Sequence, residues 1–238
     1  MKTQNVIAAL VAVLLLNACA GSSNRITEYL AGFPPQTEKP PQVALPLAVG
    51  LVVALPEDEL SKPTTPSKDT LEKVAQRIQA ELQASPQITI QRIFSALTIP
   101  AGGLRGLALE QVQALAKGSN LTKMIVVVAT SQSARKLRFW PIMENQLYVR
   151  MDAALVDVPK GAVLMTEFGQ DDYVMAEAVD YVDRISFPRL YYRTFTVAGP
   201  FTIVEGDPYH ALGWETFKGA ADQLGMKLRQ RLSPQKTG

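Results

Sequence analysis

Apolar residues recur along this chain with different periods, and each period predicts a different element. From Leu47 to Leu55 nearly every position is apolar, and Pro46 and Pro56 bound the run. A short Val-rich run of this kind predicts a strand buried on both faces. After a loop with Pro63 and Pro66, Leu71, Val74, Ile78 and Leu82 recur at helical spacing with Lys73, Gln76, Arg77 and Gln79 between them. That pattern predicts an amphipathic helix laid on a sheet. Asp69-Thr70-Leu71-Glu72 reads as its start, with Asp69 as cap and Glu72 at the third position, and Ser85-Pro86 as its stop. Gln87 to Phe94, a β-branched run with Ile88, Ile90 and Ile93, predicts a strand that Pro100 and Gly102-Gly103 break. Leu107 to Lys117 predicts a second helix with Leu109, Val112 and Leu115-Ala116 on one face, ending before Gly118. Met124 to Ala129 predicts a further buried strand. Strands and helices in alternation imply crossover units on one sheet.

The period then changes to two. Leu147, Val149, Met151, Ala153 and Leu155 fall on one side, and Tyr148, Arg150 and Asp152 on the other. This predicts a half-buried antiparallel strand with its polar residues in water. Pro159-Lys160-Gly161 supplies the turn, Gly161 permitting positive φ, and Val163 to Phe168 the returning strand. Gln170 to Pro188 is ambiguous between helical and extended readings: Val174, Ala178, Tyr181-Val182 and Ile185 fit a helix that Asp171 or Asp172 would cap. Tyr191 to Val204 reads as extended, cut by Gly199-Pro200. Asp207-Pro208 opens a final amphipathic helix through Leu212, Phe217, Ala220-Ala221, Leu224 and Leu228 to about Leu232, with Lys227, Arg229 and Arg231 suiting the dipole of its last turns. The expected fold class is therefore α/β: a mixed sheet of about five or more strands with helices packed on it, the hairpin 147–168 and a C-terminal helix.

The first residues change the picture from fold to address. Met1-Lys2 is a short positive region, Val6 to Leu16 an uncharged apolar run, and Leu16-Asn17-Ala18-Cys19 follows it. The run is shorter than the roughly 20 residues a spanning helix needs, so it reads as a signal peptide. The pattern Leu-x-Ala-Cys resembles the lipobox of bacterial lipoproteins. The resemblance implies cleavage between Ala18 and Cys19, a diacylglycerol on the Cys19 sulfur and a further fatty acyl group, such as palmitate, on its new amino terminus. Two acyl chains anchor a protein stably where one holds it only marginally. Ala20 follows Cys19; in the enterobacterial type of sorting an Asp there retains a lipoprotein in the inner membrane. The resemblance thus implies the outer membrane, facing the periplasm. The expected organisation is a signal peptide over 1–18, then the lipidated Cys and a tether over 19–45. Phe33-Pro34-Pro35 and Lys39-Pro40-Pro41 stiffen that tether. One α/β domain over 46–232 and a tail over 233–238 complete the chain.

Composition narrows the chemistry. Lys+Arg 24 against Asp+Glu 22 leaves a formal charge of +2, without the basic excess a nucleic-acid partner demands. Cys19 is the single cysteine and His210 the single histidine, so neither a disulfide nor a zinc site of the usual ligand set assembles within the chain. His210, beside the Asp207 helix start, reads as a surface residue. Ser95, Ser131, Ser133 and Ser186 lie outside any Gly-x-Ser-x-Gly elbow. Gly102-Gly103-Leu104-Arg105-Gly106 precedes a helix, but Leu107-Ala108 stands where a phosphate loop has Lys-Ser/Thr. No cofactor and no metal is expected. Asp152, Asp157, Glu167, Asp171 and Asp172 read as solvated carboxylates, with acid–base pairing as the competing reading. Trp140 with Arg138, and Tyr191-Tyr192 with Arg193, carry two readings of equal weight: partner contacts, because these residue types are enriched at interfaces, or core and edge packing.

Two segments carry a wider resemblance. Met151 to Val158 with the return Val163-Leu164-Met165 is similar to a hairpin in rhombotarget-type bacterial lipoproteins, and Leu47 to Leu51 and Pro100 to Gly103 fall in matching order. From Leu45 to Phe168 the layout resembles the α/β domain of the curli secretion lipoprotein and of lipoprotein activators of penicillin-binding proteins. The resemblance implies the fold and the envelope location, and the anchor, the spacer and the missing catalytic set lead to the expectation of a membrane-anchored, non-enzymatic envelope module. Its partners would be membrane lipid through Cys19 and another envelope protein, with no nucleic acid. The competing expectations are a hydrolase with a carboxylate site and a secretion-channel subunit inserting Tyr191 to Val204.

Overall fold

The apolar run between Pro46 and Pro56 is the central parallel strand of the molecule. The structure is a computed structural model, and it describes residues 25–31, 43–62, 64–99, 107–139, 142–178, 195–198, 202–205 and 208–233. Its strands are β1 (Leu30–Ala31), β2 (Leu47–Pro56), β3 (Ile88–Ile93), β4 (Leu97–Ile99), β5 (Leu107–Ala108), β6 (Lys123–Phe139), β7 (Ile142–Asp157), β8 (Ala162–Ala178), β9 (Phe195–Ala198) and β10 (Thr202–Glu205). Its helices are α1 (Lys68–Gln83), α2 (Leu109–Lys117) and α3 (Pro208–Leu232), with 3-10 turns at Ile26–Glu28 and Glu57–Ser61.

The main sheet runs in the order β10-β9-β8-β7-β6-β2-β3, with β4 also on β2. β3, β2 and β6 are mutually parallel, as the alternation of strands and helices predicts, and β6 through β10 are antiparallel. The class is α/β with a mixed sheet.

Both faces of the sheet are covered, and alternation along each strand divides its side chains between two cores. Leu51, Val53, Val127, Val149, Met151 and Leu155 pack under Val74 and Ile78 of α1 and Phe217, Leu224 and Leu228 of α3. Val52, Ala54, Val126, Ala154 and Val156 pack under Val112 and Ala116 of α2 and Ile26 of the first 3-10 turn. The hairpin packs against α3, while α1 lies on β2 and β3 and against α3, so the expectation that both helices cover the hairpin holds for α3. At its turn Gly161 has φ 62°, a conformation that L side chains rarely adopt.

α3 lies unusually close to β8. Gly169 makes this approach feasible, because a Cβ there would run into the Ala220 carbonyl and the Leu224 N–H of the helix. Arg77 of α1 holds Asp222 of α3 through two hydrogen bonds of 2.8 Å, and Arg231 pairs with Glu167 at 3.1 Å.

Three expectations are corrected and one ambiguous segment is decided. Ser67, not Asp69, caps α1: its Oγ accepts the Thr70 N–H at 3.1 Å. Asp69 sits inside the first turn and pairs with Lys73 at 2.7 Å, largely in solvent. Of the ambiguous segment, Gln170 to Ala178 is strand. Val174 and Ala178 are four apart, a spacing that fits a helix and a strand equally, and pairing with β7 from Gln170↔Arg150 to Ala178↔Ile142 decides it. β6 continues ten residues beyond Ala129 to Phe139, through the polar stretch Ser131-Gln132-Ser133, because β7 supplies hydrogen-bond partners along its whole length. Finally, the expected tether gives residues 25–31 to the fold, with Ile26 fully buried and Leu30-Ala31 paired with Leu107-Ala108. The expected cap Asp207, residues 179–194 of the ambiguous segment and the tail 234–238 lie outside the described residues.

Candidate functional site

β7 has apolar neighbours on both faces from Ala153 to Val156, and this brings Arg150 and Asp152 inside. Arg150 is 7% and Asp152 1% exposed, which corrects the expectation of a solvated polar face. Two residues apart on a strand, their side chains share one face. Arg150 Nε donates to Asp152 Oδ2 at 2.8 Å and Nη2 to Oδ1 at 2.9 Å. The backbone N–H of Arg25, at the start of the first 3-10 turn, also donates to Oδ1 at 2.8 Å. The Asp152 hydrogen bonds hold the Arg150 guanidinium above the ordinary arginine range, against burial that pulls it down. The guanidinium stacks over the Phe168 ring at 4.6 Å, and Lys227 of α3 approaches the same ring at 4.3 Å while donating to the Phe168 carbonyl at 3.0 Å. Further along this face Tyr148 Oη donates to Gln170 at 2.9 Å, and Gln146 donates to Asp172 at 3.2 Å.

A second polar group fastens the other 3-10 turn. Glu59, 3% exposed, accepts from Lys62 Nζ and from both the N–H and the Oγ of Ser131, the last two at 2.9 and 3.0 Å. Thr64 Oγ1 lies 3.0 Å from Ser131 Oγ, and Lys62 also donates to the Ser131 carbonyl at 2.8 Å. Ser131 is thus a fully engaged side chain that pins Glu57–Ser61 to β6.

These two buried carboxylates stand on opposite faces of the sheet. Ser131 is in register with Val149 of the core under α1 and α3, whereas Asp152 is in register with Val128 of the other core. Acid–base work on one substrate is therefore closed to this pair, since it requires both groups within hydrogen-bond reach of one reacting centre. The remaining predicted carboxylates are dispersed. Asp157 accepts the Lys160 N–H at the hairpin turn, Glu167 pairs with Arg231, and Asp172 is exposed. Asp171 is half-buried, and burial raises its carboxyl above the usual range. Among the described residues no group of three or more His, Cys, Asp and Glu side chains is placed to hold a metal ion. Clefts of about 220 Å³ beside α1, lined by Val53, Glu72, Gln76 and Phe94, and about 340 Å³ between β4 and α2, lined by Leu97 and Leu115, contain one ionisable side chain between them, Glu72.

The lipidation pair Ala18 and Cys19, Trp140, Tyr191 and Tyr192 lie outside the described residues, as do the side chains of Arg138 and His210. The strands that flank them do meet. Phe139 of β6 is in register with Ile142 of β7, Ile142 with Ala178 of β8, and Ala178 with Phe195 of β9. The described strand ends next to the two aromatic clusters in sequence thus share one register row. Near it, Leu137 is 58% and Val174 48% exposed. Sequence reasoning missed the Arg150–Asp152 pair and its contact with Arg25. The available signal was opposite charge at i and i+2 on a face that continues as Ala154 and Val156.

Among the described residues no helix is long and apolar enough to cross a membrane. No family model and no curated protein matches the chain. Among solved structures, a PelC dodecamer from Paraburkholderia phytofirmans is 12% identical with a TM-score of 0.35, over 79% of this chain and 94% of that one. Protein XCC0632 from Xanthomonas campestris is 11% identical with a TM-score of 0.31, over 84% and 91%. Lipoprotein GNA1162 from Neisseria meningitidis is 12% identical with a TM-score of 0.30, over 53% and 83%. The structural neighbours thus include bacterial lipoproteins, and at these identities and scores no property of theirs is carried over to this chain.

Proposed function

We propose that the chain is a lipid-anchored envelope lipoprotein whose α/β domain is a non-enzymatic interaction module, presenting the far rim of the β6–β9 ribbon to another envelope protein. The observation that supports this most is the register row Phe139–Ile142–Ala178–Phe195, which gathers the strands flanking Arg138, Trp140 and Tyr191-Tyr192 at one edge. Aromatic and Arg side chains are the usual anchors of protein interfaces. Ala20 after Cys19 supports the outer membrane, facing the periplasm, under the enterobacterial type of sorting.

Photocrosslinking in cells tests the contact. A photoreactive residue at Leu137 should give a discrete adduct with a second protein, and one at Met226, exposed on α3, should not. Adducts from Met226 alone, or from neither position, remove the rim from consideration. The anchor is tested separately by fatty-acid labelling: Cys19→Ser should lose the label, and gradient fractionation should find the wild type in outer membranes.

A further inference from the structure

Residues 25–31 lie much closer to the expected anchor than a tether ending at residue 45 would allow. Ile26 is fully buried, Leu30 is 9% exposed, and the Arg25 N–H is committed to the buried Asp152. Tyr29 packs against the same core, and burial raises its hydroxyl above the usual tyrosine range. The described chain therefore begins at Arg25, on the side of the sheet that carries α2 and the first 3-10 turn.

Only residues 20–24 separate Arg25 from Cys19. Fully extended, those six Cα steps reach about 20 Å, against roughly 95 Å for the steps from Cys19 to Leu47. From the outer surface of α1 and α3, across the sheet to the 3-10 turn, the layers measure about 25 Å, and the chain would also have to round the sheet edge. The leash is too short for that side to rest on the lipid.

We infer that the lipid-facing surface of the domain is the side carrying the 3-10 turn Ile26–Glu28 and α2, held against the bilayer, while α1 and α3 face the aqueous space. This rests on the lipid-anchor reading. The Pro-rich stretch 32–42 is then a connection that both starts and ends on the domain, and it sets no distance between domain and membrane.

Cys19 is the only cysteine, and its thiol is acylated in the mature protein, so an introduced cysteine is the one reactive thiol. The lipidated full chain carrying Thr27→Cys, exposed in the 3-10 turn, or Gln230→Cys, exposed on α3, is labelled with a fluorophore. It is then reconstituted into phosphatidylethanolamine–phosphatidylglycerol vesicles containing a headgroup-nitroxide lipid. Quenching at Thr27→Cys should exceed that at Gln230→Cys several-fold. A Gly/Ser insertion of about 20 residues between Asn24 and Arg25, which lengthens the leash, should abolish the difference. Equal quenching at the two positions, stronger quenching at Gln230→Cys, or a difference that survives the insertion overturns the inference while the protein still floats with the vesicles. Failure to float overturns the anchor reading and the inference with it.

Discussion

Two stretches of the same strand, β7, behave differently. From Glu144 to Val149 burial alternates, with Asn145, Leu147 and Val149 buried and Glu144, Gln146 and Tyr148 part-exposed. From Arg150 to Val156 every residue is buried. The backbone pairing is continuous with β6 and β8 through both. What changes is the cover. Both stretches lie against the core under α1 and α3, and only the second also lies against α2 and the first 3-10 turn. One strand thus supplies a structural centre at one end and a solvent-facing sheet at the other. A charged residue passing from one stretch to the other must bring its partner with it.

The most severe test of this contrast is Asp152→Ala, which removes the carboxylate that Arg150 Nε and Nη2 and the Arg25 N–H donate to. Removing one member of a buried pair costs about 3–5 kcal/mol, read as a lower midpoint in denaturant melts. A loss under about 1 kcal/mol, the scale of an exposed pair, would mean that the face at 150–152 is open to water. The same result bears on Arg150→Ala, for which a solvated face predicts no more than about 0.5 kcal/mol.

Next in size is a matched pair of truncations. Leu155→Ala, in the fully buried stretch, should cost about 2–5 kcal/mol through lost transfer energy and the cavity left behind. Leu137→Ala, 58% exposed near the far rim, should stay within about 0.5 kcal/mol while weakening the proposed partner contact. Similar losses at the two sites would erase the distinction between the two ends of the ribbon.

Gly169→Ala tests how closely α3 presses on the buried end. The new methyl group meets helix backbone, which cannot swing aside, so the helix must shift. Overpacking of this kind costs about 1–3 kcal/mol. Unchanged stability would show a looser contact between α3 and β8.

The smallest effect belongs to Asp171, at the border between the two stretches. Burial raises its carboxyl, with the N–H of Asp172 pulling the other way. A raised acid binds its proton more tightly in the folded state, so stability falls as pH rises from the unfolded carboxylate range through the folded one. Ionised Asp171 is thus a burden at neutral pH and none in acid. Asp171→Asn should raise stability at neutral pH by no more than about 0.5 kcal/mol and flatten the profile across that window. A loss at neutral pH would mean that the carboxylate is stabilised by its surroundings.

Element type was legible in the sequence wherever the apolar period was unambiguous: β2, α1, β3, α2, the hairpin and the end of α3 at Leu232. Each follows from which positions must leave water, a property local to the chain. The resemblance to a lipobox around Cys19 belongs to the sequence alone, since those residues lie outside the described ones. How far β6 and β8 run emerged only in the folded molecule, because strand length depends on whether a neighbour offers backbone partners. The burial of Arg150 and Asp152 emerged there as well, because the groups that meet them, the Arg25 N–H and the Phe168 ring, come from other elements of the chain. So did the membership of Arg25 to Ala31 in the domain. Nothing local marks Ile26 as a core residue; its burial depends on a cluster that residues of β7 and α2 share with it.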